Sequence, residues 1–518
     1  MGAFIGLTAS YLALVFGCLF FLYAVKYYAS TILALGALGR EKVAESDPRA
    51  STGDGGRDEP FVSIHLPFYN EVNVARRVIK ACLSLDYGNY EVIVVDDSRD
   101  ETIGVLKEAG WRRSTPAVKF IHRRDRSGFK GGALSNAARY MDPRAEFVVV
   151  FDADFIPPQD ILRRFVSHFR EHDPSYAGSD FLPDYDAGGE RGGKPVAAVQ
   201  GYQLHHLNKS ENWVTRGVRV EFSGSYMVER VAAERYGGMK MISGSVFMLR
   251  ADALRRLGWG TSITEDWELT LRLYLEGYRV VYTPLIQAPA EIPTTIHALT
   301  KQRMRWAEGH TYAVKRYFRK VLGSAKLTTR EKLEFLYFSP YYLQPLFLLV
   351  GTLCWLVAEA SHRYPAFWSP TFGWSLTLSN FLAVPLMGLA GIFLEGDLRV
   401  DCSGVLSFVA LSYIIAPFQA YAALKGLLEP EEGTWVRTLK TGSITDRVLS
   451  LKLRGIVDWV RLRSSLPRFG FGDFVKAVVH PFPVRYVLMT TCMVLMTLPI
   501  LTGLSSLGFG IIGGCVIG

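Results

Sequence analysis

The sequence predicts an α/β domain built on a largely parallel sheet and fused to an α-helical transmembrane bundle. Three observations carry this. A chain of 518 residues, 49% of them hydrophobic, has room for one large domain plus a membrane bundle. The apolar residues gather in blocks, at 3 to 25, at three places between 339 and 428, and again after 485. Each block is near the roughly 20 residues that cross a bilayer. Between the first two blocks, short Val- and Ile-rich runs alternate with helical periodicity, which is the pattern of buried parallel strands.

The first block, Phe4 to Tyr23, is longer than a signal-peptide core and has neither a basic start nor a cleavage site, so residues 1–42 read as a retained anchor. Lys26, Arg40 and Lys42 follow it, which puts the N-terminus outside and the next domain in the cytosol of a multi-pass plasma-membrane protein. Residues 43–60, rich in Ser, Asp, Gly and Arg, read as a linker.

The α/β domain is expected over 61–292. Phe61 to Leu66, Glu91 to Val95 and Glu146 to Phe151 are its first strands, and Val196 to Gln200 and Ser245 to Leu249 are further ones. Val74 to Leu85 and Glu265 to Leu275 read as helices, and 172 to 194 as loop. Residues 293–335, basic and aromatic with Arg303, Arg305, Trp306, Tyr312 and Tyr317, suit helices at a membrane interface. Membrane helices are expected over 336–428 and 484–518.

Residues 429–483 form a second cytosolic stretch; ten Lys or Arg lie between Glu429 and Arg485. Three apolar blocks, 339 to 360, 372 to 395 and 403 to 427, separate it from the first, where an even number of crossings is required. One block must be re-entrant, interfacial or double.

The six cysteines, Cys18, Cys82, Cys354, Cys402, Cys492 and Cys515, show no metal-binding spacing and lie mostly in apolar blocks, as packing residues do. The net charge of +9 is carried beside apolar blocks, which makes lipid headgroups the expected partner and excludes a nucleic-acid role. Oligomeric state is not readable.

Candidate chemistry sits at the strand ends, the edge where open α/β sheets take ligands. Asp152 and Asp154, two apart, can hold a hard divalent cation, Mg2+ or Mn2+, against a diphosphate. An isolated Asp-x-Asp is equally an ordinary polar turn. Asp96 and Asp97 end the neighbouring strand, where a base or ribose would lie. Lys130, within Gly128-Phe129-Lys130-Gly131-Gly132, offers a cation for phosphate without the spacing of a nucleotide-hydrolase loop. Thr264-Glu265-Asp266 is either a helix cap with two acids in its first turn or the site of a general base, Asp266, with Glu265 beside it. Gln302, Arg305 and Trp306 share one helix side and present an amide, a guanidinium and an aromatic face.

Taken together and in order, these motifs resemble the membrane-embedded family 2 glycosyltransferases of the cellulose synthase, hyaluronan synthase and glucomannan synthase-like type. The resemblance spans about residues 61 to 310. It assigns Tyr69, Glu71, Asp96, Asp97, Lys130 and Asp152 to the nucleotide-sugar donor, with Asn70 in the same turn, and Asp152 and Asp154 to the metal. It makes Asp266 the base and assigns Gln302, Arg305 and Trp306 to diphosphate and acceptor. Trp435-Val436-Arg437-Thr438-Leu439-Lys440 is similar to a gating loop that closes over the donor, with Trp435, Thr438 and Lys440 on the pattern and Arg437 departing from it. The implied fold is a GT-A type nucleotide-diphospho-sugar transferase domain. The implied activity is inverting transfer from a cytosolic UDP- or GDP-sugar to a β-linked polysaccharide coupled to export. Three rivals stand beside this: a transferase making a glycolipid on a ceramide- or diacylglycerol-type acceptor, a dolichyl-phosphate mannose synthase-like enzyme, and an inactive scaffold or transport subunit.

Overall fold

Val-, Ile- and Phe-rich runs whose side chains are buried on both faces need cover on both sides, and that cover is what positions the site. In a computed structural model, residues 2–44, 59–107, 116–173, 193–434, 438, 440–442, 444–446 and 481–516 are described. Residues 45–58 of the linker expected at 43–60, most of the 172–194 loop, Trp435 and most of 447–483 lie outside them.

Seven strands form one mixed sheet in the order β3-β2-β1-β4-β6-β5-β7: β1 (Val62–Phe68), β2 (Tyr90–Asp96), β3 (Val118–His122), β4 (Phe147–Val150), β5 (Val196–His205), β6 (Phe247–Arg250) and β7 (Arg279–Ala290). β1 runs parallel to β2 and β4 with Ile64 opposite Val92 and Val149. β6 is antiparallel to both β4 and β5, which makes the sheet mixed. On one face the core gathers around α2 (Val72–Leu83) and α5 (Ile161–His172), with Val78, Phe165 and Phe169 fully buried. On the other, α4 (Phe129–Tyr140), α8 (Ala251–Leu257) and α9 (Glu265–Leu275) enclose Leu134, Leu254 and Trp267, and Trp267 stacks on His310 at 5.0 Å. A short α3 (Thr102–Leu106) follows β2.

A helical layer joins this domain to the apolar helices. It consists of α6 (Trp213–Ser223), a π-helix (Gly224–Glu229), α7 (Arg230–Tyr236), α10 (Ile296–Gly323) and α11 (Thr329–Phe338). Asn212 caps α6 and Thr328 caps α11, each in a reciprocal box that satisfies the free backbone donors of the first turn.

Five helical stretches among the described residues are long and apolar enough to cross a membrane, and four of them form a bundle with matching ends. The four are α1 (Gly2–Ala44), α12 (Gln344–Ser361), α13 (Pro370–Leu394) and α16 (Pro481–Val516). At one end Gly6 lies against Ser361, and Ser369 bonds Ser506 at 2.6 Å. At the end next to the α/β domain Lys26 pairs with Glu334 at 2.6 Å, and Arg485 donates to the Gly36 carbonyl at 3.3 Å.

The fifth, α15 (Gly404–Leu428), behaves differently. Just before it, in and beside the short α14 (Leu398–Asp401), Asp397 and Asp401 take Lys209 at 3.0 and 2.9 Å. Its own Gly404 lies against the Arg216 carbonyl, and Phe408 and Leu411 press on Gly217. At its far end Gly426 meets the Glu308 carbonyl and Lys425 pairs with Glu308 at 2.9 Å. Both ends are therefore fastened to the helical layer of the α/β domain, while Leu406, Tyr421 and Leu428 stay exposed.

Candidate active site

The site is assembled where β1, β2 and β4 end and α9 and α10 begin. Tyr69 and Glu71 leave β1 through Asn70, whose backbone is left-handed (φ 56°) and is held by two bonds: its N–H donates to Ser98 Oγ at 2.7 Å and its Oδ1 accepts from Arg99 N at 2.9 Å. The guanidinium of Arg126 lies 3.4 Å from the centre of the Tyr69 ring.

Asp97 lines the cavity and is gripped by Arg123 through two bonds of 2.6 Å. Asp96 is fully buried, accepts from Ser98 N at 2.9 Å and meets His122 Nδ1 at 2.8 Å. Asp97, and not Asp96, is among the residues that line the cavity.

The catalytic-type acids surround one lysine. Lys130 enters on α4 through Gly128 (φ 70°); a side chain at Gly131 or Gly132 would collide with the Gly260 or Ser127 carbonyl at 2.1 Å, so glycine there lets the turn approach. Its ammonium sits 2.7 Å from Asp152 Oδ1 and 3.2 Å from Glu265 Oε1, and donates to the Gly244 carbonyl at 2.6 Å. Burial alone would depress it, but Asp152 and Glu265 hold it above the usual range. Asp152 itself is raised by desolvation against the pull of Lys130. Asp154 is held below its ordinary value because Lys440, 2.6 Å away, outweighs the effect of burial.

Asp266 is pushed up to about 7, first by burial and then by the Glu265 carboxylate, against Lys130, the Trp267 N–H and Arg305. Arg305 is lowered by desolvation, partly offset by Glu265, Asp266 and Asp152. Gln302 is buried, and its Oε1 has no hydrogen-bond partner among the described residues. Arg303 bonds Glu221 at 2.8 Å and lies 4.4 Å from the Trp306 ring centre.

A single cavity of about 590 Å³ is lined by Tyr69, Glu71, Asp97, Lys130, Asp152, Asp154, Glu265, Asp266, Gln302, Arg305, Trp306, Thr438 and Lys440. It continues between the apolar helices past Tyr23, Tyr341, Gln344 and Asn380. Sequence reasoning missed several residues that shape it. The Ser243–Ser245 turn is one: Gly244 is left-handed (φ 73°), and a Cβ there would stand 3.2 Å from both Asp266 Oδ2 and Lys130 Nζ. Gln200 and Gln203 hold its carbonyls from β5, and Ser245 Oγ accepts from Asp152 N at 3.0 Å. Glu291 and Arg77, which hold residues 440–442, were missed as well. The one sequence signal was glycine between two serines at a strand start, which by itself is an ordinary turn.

Residues 60–309 match the family described as glycosyltransferase like family 2. A probable glucomannan 4-beta-mannosyltransferase 7 of Oryza sativa is 26% identical, covering 81% of this chain and 68% of its own. Glucomannan 4-beta-mannosyltransferase 7 of Arabidopsis thaliana is 26% identical over 79% of this chain and 69% of its own. Among solved structures, the mannosyltransferase PcManGT from Pyrobaculum calidifontis, in complex with GDP-Man and Mn2+, aligns with a TM-score of 0.46 at 18% identity, over 78% of this chain and 99% of that one.

Proposed function

Because residues 60–309 form a family 2 glycosyltransferase domain, we propose that this protein is an inverting hexosyltransferase that extends a β-linked polysaccharide from a cytosolic nucleotide-sugar, mannose being the sugar its named relatives point to. The observation that carries the reading is that Asp266 lines the same cavity as Lys130, Asp152 and Arg305.

A carboxylate at about 7 accepts the proton of an acceptor hydroxyl as that oxygen attacks the anomeric carbon. One displacement inverts the configuration. Lys130 and Arg305 face the leaving diphosphate, and Gln302 and Trp306 offer an amide and a ring to the acceptor sugar. Asp152 and Asp154 would hold Mg2+ or Mn2+: they are hard oxygen donors at one strand end, and such ions take one or two carboxylates plus substrate phosphates, supplying charge neutralisation when bound.

The cavity's extension among the apolar helices supports a glycan acceptor. Asn380 Oδ1, beside the cavity, has no hydrogen-bond partner among the described residues, which suits a hydroxyl group better than a hydrocarbon tail. A second reading, a lipid acceptor, is favoured by Phe381 and Tyr413, which border the cavity and are about half exposed. For orientation, Lys26, Arg40 and Lys42, in the second half of α1, support a cytosolic α/β domain. With α1, α12, α13 and α16 crossing and α15 lying along the interface, the two polar stretches share one side.

The test is incubation of the lipid-reconstituted protein with radiolabelled UDP- and GDP-sugars, with Mg2+, with Mn2+ and with chelator. Transfer from one donor, lost on chelation, is expected. No transfer from any donor would return the scaffold reading.

A further inference from the structure

Each carboxylate of the Asp-x-Asp pair is already matched by a lysine, Asp152 by Lys130 on α4 and Asp154 by Lys440 on the segment after α15. The two lysines differ in how they are mounted. Lys130 stands on a helix packed against the sheet. Lys440 stands on a short loop after α15, and the polar contacts of its residues 440–442 centre on Glu291.

Glu291, buried at the end of β7, accepts the N–H groups of Thr441 and Gly442 through Oε2, both at 3.1 Å. Its Oε1 takes Arg77 at 2.7 Å, and Arg77 also donates to the Asp154 carbonyl at 3.2 Å. Asn73 Nδ2 donates to the Lys440 carbonyl at 3.1 Å, and Gly442 turns with φ 78° in contact with Asn73, where a Cβ would stand 2.9 Å from the Asn73 carbonyl oxygen. Lys440 Nζ reaches past this cradle to the Glu291 carbonyl at 3.2 Å and to Asp154 Oδ2 at 2.6 Å.

We propose that Lys440 is a tethered counter-ion standing on Asp154 where a divalent cation would bind, docked there by Glu291, so that metal binding and release of the 440–442 loop are a single exchange. This rests on the metal reading above. An ammonium and a divalent ion cannot both neutralise one buried oxygen at contact distance, because like charges that close in a poorly hydrated site repel strongly. The loop thus balances the charge of the ionised Asp154 carboxylate when no donor is bound. When metal arrives with a diphosphate, Lys440 is displaced from Asp154 and is free to follow the phosphate charge. Glu291 is a positioning residue in this scheme: it touches neither donor nor acceptor and acts through the loop.

The test is Mn2+ titration of the full-length protein in detergent, without donor, read by the electron paramagnetic resonance signal of free Mn2+. Wild type, Lys440→Met, Glu291→Gln and Asp154→Asn are compared. Lys440→Met removes the competing charge and is expected to tighten Asp154-dependent Mn2+ binding by about tenfold or more, the scale of losing a partly buried ion pair. Glu291→Gln, which keeps an acceptor for one N–H and leaves Lys440 in place, is expected to tighten it in the same direction by less. Because Lys440 lies on a loop outside the sheet, its replacement leaves the core intact, and Lys440→Gln serves as a second neutral variant. Equal or weaker Mn2+ binding in both Lys440 variants would overturn the proposal while leaving the transferase reading standing. No Asp154-dependent Mn2+ binding in any of the proteins would overturn the metal reading and this proposal together.

Discussion

Burial and Glu265 raise Asp266, the proposed base, to about 7, while Lys130 and Arg305 keep it from rising further. Since the base must be ionised, kcat/KM is expected to be low below this value and to climb with pH through about 7; a profile flat from pH 5.5 to 8.5 would rule the assignment out. Asp266→Asn is expected to cut turnover by about 100- to 10,000-fold, the usual span for removing a general base, with donor affinity by calorimetry unchanged. Gly244 gives an independent check on the same spot. Alanine there meets a left-handed backbone costing about 1–2 kcal/mol and places a methyl 3.2 Å from Asp266 Oδ2, so Gly244→Ala is expected to lose activity more than thermal stability. Most of these residues could be read from motif order, because strand ends, carboxylate spacing and a helix-side triplet survive in one dimension. Gly244, Glu291 and the inward turn of Asp96 could not, since each depends on which strands become neighbours.

At the scale of elements, the Val- and Ile-rich runs announced β1, β2 and β4 because both faces of each are buried. β3 escaped because it is a half-exposed edge strand carrying Lys119 and His122. β7 escaped because Pro284 and Pro289 interrupt it, which argues against a central strand; β7 lies at the sheet's edge, where proline is tolerated. The reversed direction of β6 leaves no trace in composition.

We propose that the block that does not cross is α15, which has the length and hydropathy of a span yet touches the α/β domain's helical layer at both ends. It packs on α6, α10 and α12, while its Leu406, Tyr421 and Leu428 are exposed. Hence native Cys402, exposed just before α15, and an introduced cysteine at Glu429, just after it, are expected to react with a membrane-impermeant thiol reagent from the same side. Labelling from opposite sides would make α15 a crossing helix.

Across the whole molecule, the domain and the bundle are clamped by buried charge. Arg219 on α6, almost inaccessible, pairs with Glu395 at the end of α13 and lies near Asp397 and Asp401, the carboxylates that take Lys209. Removing one partner from such a cluster leaves unpaired buried charge, so Arg219→Ala is expected to cost about 3–5 kcal/mol, seen as a fall in thermal midpoint of the detergent-solubilised protein. The clamp keeps the reaction centre over the cavity that runs on between the apolar helices, and that continuity is the physical basis for a growing glycan as acceptor. The most direct measurement is the size and solubility of the labelled product made by the reconstituted protein from its preferred donor. A long glycan that stays out of the organic phase is the expected result. A short product that partitions wholly into organic solvent would contradict polymer synthesis and establish a lipid acceptor instead.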